Sequence, residues 1–541
     1  MRLNKFLASI FCIFCIGSSV NIIAQQYSSQ KIIPIKEGEK WFGGAVNEAH
    51  LMPFKEGYTL NLFADTRGNQ AVPLLLSTKG RFVWSEEPFQ FSFKDNQLVI
   101  AYNQNALVVD SAGKNLKDAF SNASHQFFPS KNKLPDTLLF SQPQYNTWIE
   151  LVYNQNQKDV LQYAHDIISH GFPAGVLMID DNWANYYGNF NFRKDRFPDA
   201  AAMMDSLHTM GFKVMLWVCP FISPDTEIFR DLLAKKLLLL NKGKGADTTW
   251  DKAENPAIIQ WWNGNSAVMD FTNPDAKKWY HTQLDNMVAT YHLDGFKFDA
   301  GDAEYYASNT VSFANATPNE HSRLWGEFGL YYPLNEYRAM WKMGGEPLVQ
   351  RLRDKQHNWE DILKLIPGLT TAGLLGYQFT CPDMIGGGEF SSFIGKKNLD
   401  EDLVVRSAQC SALMPMMQFS VAPWRVLDKA HFEAVKKAVA VRQKYSAYIV
   451  ALAKDAARTG EPIARSLEYQ FPNQGFSEVQ GQFMLGTKLM VAPMIVKGDK
   501  KIIHFPKGTW KSDEGKIIKG PTTIEQVVAI DRLPVFELIK P

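Results

Sequence analysis

A chain of 541 residues, 45% hydrophobic and 21% charged, is long enough for more than one buried core and has the composition of a globular protein. Its formal net charge of +1 excludes a whole-molecule electrostatic case for nucleic acid or an anionic membrane as partner. Aromatic residues make up 13%, with 14 Trp, a supply that sugar-binding clefts and ordinary cores use equally.

The first residues, MRLNKFLASIFCIFCIGSSVNIIAQQ, join Arg2 and Lys5 to an apolar run that reaches a small residue at Ala24. This is the pattern of a secretory signal peptide over residues 1–24, too short for a membrane span. Cys12 and Cys15 lack the small residues ahead of them that lipid anchoring needs. Release is therefore expected, to the periplasm or outside the cell, with no membrane span in the mature chain. Cys219, Cys381 and Cys410 then remain, an odd number that implies no disulfide framework.

Residues 25–140 carry short alternating runs broken by turn residues, such as YTLNLFAD, PLLLSTKGRFVW and FQFSFKDNQLVIAY. They predict an N-terminal antiparallel β-sandwich. From 141 to 446 the texture changes. The apolar strands AGVLMID, FKVMLWVCPF, LDGFKFD and GYQFT alternate with helix-like runs such as Asp199–Met210 and Pro274–Tyr291. That alternation and length predict a (β/α)8 barrel with insertions. KGKGAD, at 242–247, reads as a surface loop. Residues 447–541 return to strands (FMLGTKLMVAPMIV, KKIIHFP, LPVFELI) and predict a small C-terminal β-domain.

Barrel enzymes place their chemistry at the C-terminal ends of the strands. Three acidic strand ends fit that rule: Asp180 and Asp181, Asp299, and Asp383 after GYQFT. In LDGFKFDAGD, Lys297 and Asp299 share one face at period two, with Phe296 and Phe298 on the other. A buried strand carries such charges only if they are paired or used. Asp299 is either a reactive carboxylate or a strand-end Asp that caps the next helix or pairs with Lys297. Asp180 and Asp181 read equally as an N-cap or Asx turn, and Asp383, followed by the glycines of DMIGGG, as a tight turn. Asp354, in QRLRDKQHNW, reads on its own as part of a solvated charge run. Trp217 and Trp262 sit in stretches where a tryptophan is more often core than a ligand platform. The chain has no HExxH, no pair of CxxC motifs and no GxSxG, and no metal or cofactor is expected. Acids, an arginine and aromatics at a barrel rim suit glycoside hydrolysis, which needs one carboxylate as nucleophile and another as proton donor.

KFDAGD, DDNW, FPDAAAMMDSLHTMGFKVMLWVCPF, AVMDFTNPDAKKWY and LLGYQFTCPDMIGGG together resemble glycoside hydrolase family 31. The flanks PLLLSTKGRFVWSEEPFQFSF, LGTKLMVAPMIVKGDKKIIHFPKGTW and LPVFEL extend the likeness in order over nearly the whole mature chain. The resemblance implies a retaining α-glycosidase with a β-sandwich, a barrel and C-terminal β-structure, acting on a small oligosaccharide or α-glycoside. It implies Asp299 as nucleophile and Asp354 as general acid/base. Asp180, Asp181, Trp217, Trp262, Lys297, Arg338 and Asp383 fall where the family lines its sugar subsite, with Arg351 competing for the place of Arg338. Two departures bear on substrate. Glucose- and xylose-acting members usually carry a large aromatic at Lys297, and an Arg-x-His where this chain has Gln418 and Ser420 in PMMQFS. The KFDAGD, RLRD and PDMIGG variants are closest to the branch with the myogenesis-regulating glycosidase and bacterial α-galactosidases, which implies α-galactosidase. α-Glucosidase, α-xylosidase, a transglycosylase or a non-catalytic sugar-binding protein are the alternatives.

Overall fold

The computed structural model describes residues 27–103, 107–243, 248–306, 309–396 and 398–541. The expected signal peptide and most of the 242–247 loop lie outside them. Eight parallel strands follow one another around a ring and are labelled in chain order: Gln144–Asn146 (β1), Val176–Ile179 (β2), Lys213–Val218 (β3), Gly295–Phe298 (β4), Leu334–Tyr337 (β5), Val349–Arg351 (β6), Phe379–Cys381 (β7) and Gln418–Phe419 (β8). The ring shuts where Met384, just past β7, bridges Gln418 in parallel. Helices between the strands obey their local signals. Asp199 caps Ala200–Thr209 by accepting from Ala202 N, and Asn273 caps Pro274–Tyr291 with Pro at the first turn.

Strand β4 shows why its alternation matters. Phe298 stacks on Tyr337 at 4.8 Å and meets Trp325 edge-on at 5.3 Å, which seats the outward face against the surrounding layer. Lys297 and Asp299 are thereby turned inward. Gly295, at the start of β4, pairs with Leu334 of β5. A Cβ there would stand 1.9 Å from the Leu334 carbonyl oxygen, so only glycine lets these two strands pair.

The N-terminal region forms two antiparallel sheets. One orders Ser29–Pro34, Gln97–Tyr102, Gln90–Lys94 and Thr59–Asn61; the other contains Trp41–Ala45, Gln70–Ser77, Arg81–Ser85 and Leu107–Ser111. Met340–Trp341, from the barrel segment after β5, joins the second sheet in parallel with Gln70 and Ala71. Between β3 and β4 an antiparallel excursion (Phe221–Ile222, Ile258–Trp261, Gly264–Val268) rises over the barrel mouth. The C-terminal sheet has six strands around Met484, Met490, Phe505, Trp510 and Phe536. The expected boundary at 446 falls inside one helix, Lys429–Thr459, because Ile449, Ala453 and Ala456 keep its apolar stripe buried well beyond that point. Cys219, Cys381 and Cys410 are free and buried. Among the described residues no helix is long and apolar enough to cross a membrane.

Gly295→Ala should cost about 1–3 kcal/mol through the overpacked β4–β5 seam, read as a lowered Tm in thermal melts of the purified variant.

Candidate active site

A cavity of about 760 Å³ opens over the C-terminal ends of the strands, within the range of small-ligand sites. Asp180, Asp181, Trp217, Trp262, Lys297, Asp299, Arg338, Arg351 and Asp354 all line it. Asp383 does not. It is buried behind the wall, accepting from Arg351 Nη1 at 2.6 Å and from Lys355 N at 2.7 Å. Asp383 thereby supports Arg351 and the chain at Lys355 from within the glycine-rich turn. Its φ of 110° is unusual for a residue with a side chain, a strained turn of the sort that functional sites tolerate.

Asp299 sits just past β4. Its Oδ2 accepts from Trp217 Nε1 at 2.7 Å, its Oδ1 accepts from Ala300 N at 2.8 Å, and Lys297 Nζ lies 3.7 Å away. Ala300 has φ of 55°, and Gly301 follows at 75°, so the chain turns sharply after the carboxylate. Burial alone pushes the Asp299 carboxyl up, but Lys297, Arg338, Arg351 and the Trp217 bond together hold it below the ordinary carboxylate range. Lys297 reaches across the barrel to Asp180 Oδ2 at 2.7 Å. Burial opposes its charge, yet Asp180 and Asp299 raise its pKa above the ordinary lysine value. Asp181 accepts from Tyr187 OH at 3.0 Å and from Asn263 Nδ2 at 2.6 Å. Burial, and then the neighbouring Asp180, push it up to about 7.

Asp354 follows β6 by three residues. Arg351 Nη1 donates to its Oδ1 at 2.5 Å, and Arg338 Nη1 stands 3.8 Å from its Oδ2. Burial resists the charge, but Arg351, Arg338 and Lys297 overcome it and hold Asp354 well below the carboxylate range. Arg353, by contrast, is exposed and lies against Gly68 of the N-terminal region. Arg338 and Arg351, competitors for one place in the sequence, both belong to the site. Arg338 pairs with Asp302 at 3.3 Å, comes within 4.0 Å of Asp299, and lies over the Trp262 ring at 4.8 Å. Arg351 divides one nitrogen between Asp354 and Asp383, and its Nε is 3.5 Å from the buried Glu336. Burial pushes Asp383 up to about 6, the nearby Asp354 charge working in the same direction.

Trp262 is 43% exposed in the cavity wall; Trp217 is buried but aims its N–H at Asp299. The cavity also takes residues that the sequence did not single out. Trp148, Tyr153 and Phe390 cluster edge-to-face on one side, with ring centroids 5.4–6.1 Å apart. Asn263 joins Tyr153, Tyr187 and Asp181 in one hydrogen-bond set. No local pattern marks these residues, because loop geometry alone brings them in. Gln418 and Ser420 point away from the cavity. Gln418 donates to Glu336 at 2.7 Å inside the barrel, and Ser420 Oγ accepts from Ile149 N.

Residues 139–452 match the family described as Glycosyl hydrolases family 31 TIM-barrel domain, and residues 460–537 match the Glycosyl hydrolase family 31 C-terminal domain. The chain is 31% identical over 425 residues to the mouse (Mus musculus) myogenesis-regulating glycosidase, an alignment covering 76% of this chain and 58% of that protein. A Flavobacterium johnsoniae GH31 dextranase complexed with glucose superposes with a TM-score of 0.80 at 19% identity, covering 94% of this chain and 66% of the other. A cycloalternan-degrading enzyme from Trueperella pyogenes, in complex with a covalent intermediate, superposes with a TM-score of 0.78 at 17% identity, covering 94% and 77%. At those identities the structural likeness speaks for the fold, while the barrel match, which spans more than half of the residues, speaks for descent. The chain belongs to glycoside hydrolase family 31.

Proposed function

We propose that the chain hydrolyses a terminal α-glycoside by double displacement, with Asp299 as nucleophile and Asp354 as general acid and base. The observation that carries this reading is the convergence of the two carboxylates, from the ends of β4 and β6, on one cavity and one guanidinium. Asp299, held ionised, attacks the anomeric carbon as Asp354 gives its proton to the leaving oxygen. The C–O bond breaks and a glycosyl ester forms on Asp299. Water then attacks the same carbon, Asp354 takes its proton, and the ester bond releases Asp299 as carboxylate. Two inversions retain the α-configuration, which requires the carboxyl groups about 5–5.5 Å apart, against roughly 6.5–9.5 Å for a single inversion.

Against the cost of burial, Arg351 keeps Asp354 ionised. The state that protonates the leaving oxygen therefore carries a proton on Asp354 and leaves Arg351 to its other partner, Asp383, 2.6 Å away. One guanidinium nitrogen already touches both acids, so this exchange needs no large movement. Asp180, Asp181, Lys297, Trp217 and Arg338 surround the sugar. Galactose is the sugar we favour. Lys297 stands where a wide aromatic would otherwise shape a glucose or xylose site, and no group from Gln418 or Ser420 reaches the cavity. A wall of hydrogen-bonding side chains discriminates strongly against a misplaced hydroxyl. Export by the leader at residues 1–24, to the periplasm or beyond, belongs to the same proposal.

A screen of nitrophenyl α-galactoside, α-glucoside and α-xyloside, with product anomers followed by NMR, tests the reading. Hydrolysis of the galactoside with retention is expected; cleavage of the glucoside alone would overturn the choice of sugar. Asp299→Asn should abolish turnover, and Asp354→Asn should lower it by about 10²–10⁴-fold, least for a good leaving group such as nitrophenol. Lys297→Met removes the cation that depresses Asp299. Its pKa then rises, and the acidic limb of the kcat/KM profile moves to higher pH. Asp383→Asn removes a negative charge beside Asp354 and gives Arg351 wholly to it. The pKa of Asp354 then falls, and the alkaline limb moves to lower pH.

A further inference from the structure

We propose that Asn69, in the N-terminal sandwich, is a positioning residue that sets the spacing of Arg338 and Arg351 by binding both of their backbone carbonyls with one side-chain amide. The inference rests on the functional reading above for its effect on rate, but not for its geometry.

Asn69 is 1% exposed and does not line the cavity. Its Nδ2 donates to Arg338 O at 2.9 Å and to Arg351 O at 3.0 Å. A flipped amide would set an oxygen against two carbonyls, so the partners fix its orientation. Gln70, also fully buried, adds a second donor to Arg338 O at 2.9 Å.

The place of this clamp is what gives it consequence. Strands β5 and β6 share a single paired position, Tyr337 with Gln350, whereas β4 and β5 share four. The ladder therefore ends one residue before each arginine, and the Asn69 amide takes over the spacing there. Asn69 is itself held firmly. Its N–H donates to Thr66 O at 3.2 Å, and the next residues, Gln70 and Ala71, pair with Met340 and Trp341, beyond Arg338 and Ala339. Both clamped residues aim their side chains at Asp354, at 3.8 and 2.5 Å, and Arg338 also reaches Asp299. A shift of either backbone alters the cations around the acid/base. The groups facing Asp354 are Arg351, Arg338, Lys297 and Lys355, with Asp383 sharing the same Arg351 nitrogen.

The test compares Asn69→Ala and the milder Asn69→Ser with wild type, and uses Ile33→Ala as a control that weakens the sandwich far from the barrel seam. Crystal structures of wild type and of an Asn69 variant read the Arg338 O to Arg351 O separation and the Arg351–Asp354 distance, with no need for turnover. Both should lengthen. In kinetics, kcat should fall about tenfold to a hundredfold, as expected when reacting groups are misplaced by up to 1 Å, and the alkaline limb of the pH profile should move. Ile33→Ala should lower Tm and leave that profile in place. If Asn69→Ala does not fold, Asn69→Ser is read in the same way. Arginines unmoved in the variant structure, or an unchanged pH profile with kcat near wild type, would overturn the proposal. A wild type inert on every α-glycoside, with displaced arginines in the variant, would sink the functional reading and leave the clamp standing.

Discussion

A lysine ammonium inside a protein barrel is tolerated only when acids surround it. Lys297 meets that condition with Asp180 at 2.7 Å and Asp299 at 3.7 Å, and most features of the site follow from it. It keeps Asp299 ionised despite burial. It ties the end of β4 to the end of β2 across the barrel. The aromatic packing of Phe296 and Phe298 on the opposite face holds the strand so that the ammonium cannot turn outward.

Around that pair the charges do not cancel one for one. Lys297, Arg338, Arg351 and Lys355 face Asp180, Asp181, Asp299, Asp302, Asp354, Asp383 and Glu336. With more acids than cations in a buried volume, the pKa of several acids rises. Burial pushes Asp181 to about 7 and Asp383 to about 6, and lifts Asp302 and Glu336 as well. Those that stay ionised are the ones the cations reach first, Asp299 and Asp354 among them. The site thus sets the ionised carboxylate that a nucleophile needs beside acids whose hold on a proton is strengthened by burial.

The N-terminal sandwich is part of this arrangement. Its sheet takes in Met340–Trp341 from the barrel segment, its Thr66 and Gly68 bond the Glu304 carboxylate, and its Asn69 and Gln70 bond the chain at Arg338 and Arg351. Arg338 and Arg351 therefore depend on a region that precedes the barrel in the chain. The excursion between β3 and β4 does similar work on the other side, bringing Trp262 over Arg338 and Asn263 to Asp181.

What the sequence by itself determined was local. Period-two alternation in LDGFKFD set Lys297 and Asp299 on one face, cap residues such as Asp199 and Asn273 started their helices, and the change from short strands to alternating strand and helix separated sandwich from barrel. These depend on neighbours a few residues apart, and short range order is written in short stretches of chain. It also pointed to the strand-end acids, and family likeness named Asp354, which its own surroundings in QRLRDKQHNW would have left as a surface charge. Only the tertiary structure decided the partners. It gave Asp354 to Arg351 rather than Arg353, withdrew Asp383 behind the wall, admitted both arginines, and joined Asn69 to a carbonyl 282 positions away. Those contacts exist because eight strands close into a ring and bring distant loops to one mouth, and no stretch of chain read alone carries the distance across that ring.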